Sequence, residues 1–106
     1  MGASSSSSTE FQATSAGGSR LELVGELDLA TVPILREALE SLPQGEQVTI
    51  DLSQLEFIDS CGLRELSTYA SSLNGNGPLI LENVPDRVTF LLKIVAFDRL
   101  PSIQLS

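Results

Sequence analysis

The stretch Phe57-Ile58-Asp59-Ser60-Cys61-Gly62-Leu63 holds the residues best placed to do chemistry. Two apolar residues run straight into Asp-Ser, and a glycine follows near the start of the helix this pattern predicts from Ser60, against helix propensity. Such a corner presents the Ser60 hydroxyl at the surface. A residue without a side chain at position 62 would let another molecule's backbone or a phosphate approach the helix N-terminus, where unpaired N–H groups and the positive dipole end favour anions. Capping is the plainer reading. Ser and Asp are among the preferred N-cap residues, so Ser60 or Asp59 would then only close the helix.

Nucleophilic catalysis lacks its usual parts. The chain has no His and a single Cys, Cys61, so neither Ser60 nor Cys61 has an imidazole to activate it and no Ser-His-Asp arrangement can form. A packed, inert thiol is expected at Cys61, with redox sensing as the lesser alternative. One cysteine also excludes an intrachain disulfide and the common thiolate-imidazole zinc sites, which suits a reducing, cytoplasmic setting.

A second polar cluster lies upstream in Gly25-Glu26-Leu27-Asp28. If its strand neighbours the one before Asp59 in a parallel sheet, both loops leave on one edge, and Glu26, Asp28 and Asp59 surround the Ser60 hydroxyl. Such a cluster could bind Mg²⁺ weakly, but surface acids are more often solvated charges or caps, so no metal or other cofactor is expected.

Fourteen acidic residues against six basic ones give a net charge of −8. All of it falls after residue 20, because Glu10 and Arg20 cancel in the first twenty positions. Nucleic acid is thereby disfavoured as a partner, anionic membranes are repelled, and a protein with a basic face is favoured. The most apolar stretch, Phe90 to Phe97, is short and interrupted by Lys93, so neither a transmembrane helix nor a secretory signal is expected.

A chain of 106 residues, 42% of them apolar, suffices for one compact domain to position these groups. Residues 1–9 are nearly all Ser and have nothing to bury, which predicts a disordered lead before a domain over residues 10–106. Alternation over Glu10–Ser15 and Arg20–Gly25, around Gly17-Gly18, predicts a β-hairpin. Leu35, Ala38, Leu39 and Leu42 recur at helical spacing from Val32 to Leu42, with Thr31 as cap, Pro33 in the first turn and Pro43 past the end. A strand over Gln47–Leu52 is expected to close at a polar turn, Ser53-Gln54.

The helix from Ser60 turns Leu63, Leu66, Ala70 and Leu73 inward and stops at Asn74-Gly75-Asn76-Gly77. A strand at Leu79–Leu81, a helix over Asp86–Ala96 with Val88, Leu91, Leu92 and Val95 inward, and a strand at Ser102–Leu105 complete the chain. Phe90, Ile94 and Phe97 read as a widening of that core stripe, with a protein-binding surface as the alternative. The alternation of strands and helices predicts an α/β fold. Its sheet is mostly parallel, of four or five strands, with an N-terminal hairpin, right-handed crossovers and helices packed against it.

In this order, Gly25-Glu26-Leu27-Asp28, then Asp51-Leu52-Ser53-Gln54-Leu55-Glu56-Phe57-Ile58-Asp59-Ser60-Cys61-Gly62-Leu63, then Leu79-Ile80-Leu81 and Phe97-Asp98-Arg99-Leu100 resemble the STAS family of anti-sigma factor antagonists and sulfate-transporter domains. The resemblance covers about Leu21 to Leu105. It implies a STAS-like fold and a bacterial, cytoplasmic regulatory protein that is not an enzyme. It also implies that Ser60 is phosphorylated by an anti-sigma factor with serine kinase activity. The unphosphorylated antagonist holds that partner and frees the sigma factor for transcription, the phosphorylated form lets go, and a phosphatase resets it.

Glu26, Asp28, Asp59, Ser60, Cys61, Gly62 and Leu63 are then the expected partner-binding residues. An accessory domain of a transporter or lipid-export complex is the alternative within the family, and it needs no phosphorylatable Ser. Two departures stand out: many members have a second small polar residue where Cys61 stands, and members commonly continue into a further helix beyond the position of Ser106.

Overall fold

A computed structural model describes residues 11–73 and 75–106; the Ser-rich lead over residues 1–9 lies outside the described residues. Alternating residues build the first pair of strands, β1 (Gln12–Ser15) and β2 (Arg20–Leu27), which pair antiparallel from Gln12↔Val24 to Ser15↔Leu21. Gly17 and Gly18 turn the chain between them at φ of 99° and 57°, where a Cβ would be strained. Strands and helices then alternate as α1 (Val32–Glu40), β3 (Thr49–Ile58), α2 (Ser60–Ser71), β4 (Leu79–Glu82), α3 (Asp86–Ile94) and β5 (Ile103–Leu105). The sheet order is β1-β2-β3-β4-β5, with every pair after the hairpin parallel.

Strands β2 to β5 follow in chain order across the sheet, and all three helices pack into one core with it. Leu21, Leu23, Ile50, Leu52, Leu79 and Leu81 from the strands are buried there against Leu35 and Leu39 of α1, Leu66 and Ala70 of α2, and Val88 and Leu92 of α3. The other face is polar. Arg20 donates to Asp51 Oδ2 at 3.2 Å and pairs with Glu82, bridging three neighbouring strands. Burial opposes the charge on Asp51, but hydrogen bonds from Ser53 and Asn83 and the Arg20 charge outweigh it and hold the carboxyl below its ordinary value.

Two expectations fail in instructive ways. The strand expected to stop at Ser53-Gln54 continues to Ile58, because the chain bulges between Asp51 and Gln54 instead of turning away. The Ser53 N–H donates to Asp51 Oδ1 at 2.8 Å, and the β2–β3 register slips between Glu22 and Val24 and again between Gly25 and Glu26. The inward positions of β3 are therefore Ile50, Leu52, Leu55 and Ile58. Gly25, at φ 100°, carries β2 through the second slip, and the strand runs on to Leu27.

The other failure is in α3. Phe97 is buried by a short 3₁₀ turn after Ala96, but Phe90 and Ile94 are 68% and 64% exposed, so they do not widen the core. Val95, expected inward, caps the helix end and is exposed.

Candidate functional site

Two strand-to-helix corners emerge side by side at the carboxyl edge of the sheet. Leu27 of β2 and Ile58 of β3 are register partners, and the Asp59 N–H donates to the Leu27 carbonyl at 3.1 Å. Asp28 and Asp59 thus open adjacent loops, as expected for neighbouring parallel strands.

Capping at the second corner belongs to Asp59. Its Oδ1 accepts from the N–H groups of Cys61 at 2.9 Å and Gly62 at 3.1 Å, and its carbonyl accepts from the Leu63 N–H at 3.0 Å. Ser60 is left at the first helical position of α2, exposed and outside the cap. Its hydroxyl sits at the positive end of a twelve-residue helix, where added negative charge is partly offset.

Asp28 does similar work at the first corner. Its Oδ1 accepts from Ala30 N–H at 3.0 Å and Thr31 N–H at 3.2 Å, while its carbonyl accepts from Thr31 and Val32. Thr31, expected to cap α1, makes no side-chain cap bond to the helix. Its Oγ1 instead accepts from the Asp28 N–H at 2.9 Å and donates to the Glu26 carbonyl at 2.9 Å, closing the turn from within.

The remaining residues separate by burial. Gly62 is buried, and the open approach expected from its missing side chain does not exist. A Cβ there would stand 2.7 Å from Leu27 Cγ and 3.0 Å from Ile58 Cγ1, so Gly62 lets α2 pack closely on β2 and β3. Leu63 is buried behind it, and half-buried Cys61 packs against the core. Glu26 alternates onto the polar face, where it pairs with Phe57, so it flanks the corners from the far side of the sheet. Among the described residues no three His, Cys, Asp or Glu side chains converge as metal ligands.

A groove between α1 and α2, lined by Leu42, Tyr69 and Leu73 among others, does not include Ser60. Nor is any helix among the described residues long and apolar enough to cross a membrane. Three apolar residues outside the expected partner-binding set are exposed near this edge: Leu29 in the first corner, Ile34 in the first turn of α1, and Phe57 at the end of β3. An apolar residue inside a polar turn, directly after Asp28, was the available signal.

Residues 11–104 match the family model described as "Mlab, STAS domain". The chain belongs to the STAS family. It is 34% identical over 77 residues to the anti-sigma-B factor antagonist of Bacillus subtilis, covering 71% of each chain. It is 29% identical over 85 residues to the anti-sigma-B factor antagonist of Listeria monocytogenes, covering 77% of this chain and 75% of the relative.

Among solved structures it is similar to the anti-sigma factor antagonist SpoIIAA in its unphosphorylated form. The TM-score is 0.66 and the identity 19%, over 92% of this chain and 88% of the other. That likeness shows a shared STAS fold, a five-stranded mixed sheet with an N-terminal hairpin and three helices.

Proposed function

We propose that this STAS domain is a cytoplasmic anti-sigma factor antagonist, not itself an enzyme, whose grip on an anti-sigma factor with serine kinase activity is released by phosphorylation of Ser60. One observation carries the reading. The hydroxyl after the capping aspartate is exposed and has no capping duty, so it can be modified without dismantling the helix. The similarity to anti-sigma-B factor antagonists supports the choice of partner.

A phosphoryl group brings roughly −1.5 to −2 charges to an edge that already holds Asp28 and Asp59. A partner surface fitted to a neutral hydroxyl then loses contact by repulsion and by the cost of desolvating the new charge. The helix dipole offsets part of that charge within the domain, so binding changes while the fold persists. A phosphatase resets the switch.

An accessory role in a transporter or lipid-export complex is the second reading, favoured by the match to a family model that is not itself described as an antagonist. Incubation with ATP and the candidate anti-sigma kinases of the source organism, followed by mass spectrometry, separates the two. Phosphate on Ser60 that abolishes binding to the kinase supports the switch, and a Ser60 left unmodified by every kinase points to the accessory role.

A further inference from the structure

We infer that Leu29 is an anchor for the anti-sigma partner, a side chain that enters an apolar pocket on the partner beside the Ser60 hydroxyl; the inference rests on the partner switch proposed above. Leu29 is 71% exposed, more than any other large apolar side chain described. Single exposed leucines are ordinary on protein surfaces. This one differs in the rigidity of its support and in its position.

The turn that carries it, Asp28 to Thr31, is tied by two N–H bonds to Asp28 Oδ1, by the Asp28 N–H to Thr31 Oγ1, and by the Thr31 hydroxyl to the Glu26 carbonyl. A side chain on a turn already ordered loses little backbone freedom on binding. Leu29 and Ser60 each follow by two residues the register partners Leu27 and Ile58, so they stand on the same sheet edge on adjacent corners. Ile34 on the helix side and Phe57 on the polar face are exposed apolar residues as well. The edge thus combines a fixed apolar tip, suited to supply affinity, with a hydroxyl suited to switch it.

Calorimetric binding of the full chain to the anti-sigma kinase that phosphorylates Ser60 tests this, with Leu29→Ala and Leu29→Met beside the wild type and a thermal melt of each. Leu29→Ala should raise Kd at least about tenfold, as loss of a buried leucine contact predicts, and Leu29→Met should stay within about threefold. Both variants should melt with the wild type, since an exposed side chain contributes little to folding. An unchanged Kd for Leu29→Ala, with phosphorylated wild type still released, overturns the anchor and leaves the switch standing. An early melt in step with the weaker binding assigns Leu29 to the fold and also overturns it. Failure of every candidate anti-sigma kinase to bind the wild type or modify Ser60 overturns the switch and the anchor together.

Discussion

The two corners at the carboxyl edge use one device to different ends. In each, an aspartate Oδ1 takes two backbone N–H groups just after a strand. At Asp59 the helix begins on the next residue, and Gly62 draws it tightly onto Leu27 and Ile58. At Asp28 a turn intervenes before α1, sealed by Thr31 and tipped by Leu29. The residue displayed directly after the aspartate is a hydroxyl in one corner and an apolar side chain in the other. A cap on the neighbouring residue frees a displayed side chain from structural duty, and close helix packing holds it in place.

The contrast is most sharply tested at Gly62. Gly62→Val should destabilise the domain by about 3 kcal/mol in urea unfolding, because the new carbons overlap buried side chains that have nowhere to move. A near-neutral result would show that the second corner does not depend on close approach.

Next come the aspartates. Asp59→Ala should cost about 1–2 kcal/mol, the usual loss for an N-cap, whereas Asp28→Ala should cost about 1 kcal/mol or less, because Thr31 and the Asp28 carbonyl still close that turn. Equal losses by thermal or urea denaturation would erase the distinction between a direct cap and a reinforced turn.

Asp51, away from both corners, gives a pH test of the polar face. Its carboxyl ionises below the ordinary value of 3.8 in the folded chain, so the unfolded chain binds the proton more readily. Its contribution to stability is therefore present above that value and lost as pH falls through the lower folded one. The stability gap between wild type and Asp51→Asn should narrow as urea melts are taken from pH 6 down toward pH 3. A constant gap would mean the charge does no work there.

The smallest effect is expected at Ser60 itself. Ser60→Ala should change stability by no more than about 0.5 kcal/mol, since the hydroxyl lies outside the cap, while abolishing phosphate incorporation. A loss comparable to that of Asp59→Ala would return Ser60 to a capping role.

Local patterning carried much of this structure. Helical spacing of Leu35, Ala38 and Leu39 located α1, alternation in Arg20–Gly25 located most of β2, and the Asp-Ser corner was legible because a strand pattern meets a helix pattern there. That Asp28 and Asp59 would be neighbours followed conditionally, from the habit of parallel strands to send their loops to one edge. These features depend on residues a few positions apart, whose geometry is set by backbone periodicity.

Other features were decided by residues distant in the chain. Ser53 has a turn's composition, yet it sits in a bulge within a strand because β2 pairs on both sides of it, at Asp51 and at Gln54. Phe90 and Ile94 have core chemistry, yet no element covers them among the described residues. Gly62 reads locally as an opening and is in fact the contact that seats α2, because Leu27, 35 positions earlier, occupies the space beside it. A sequence states which side chains are apolar, small or charged and how they recur along an element. Whether a given face meets a neighbour, a partner or water depends on long-range packing, and that alone left Ser60 and Leu29 exposed while burying Gly62 and Leu63.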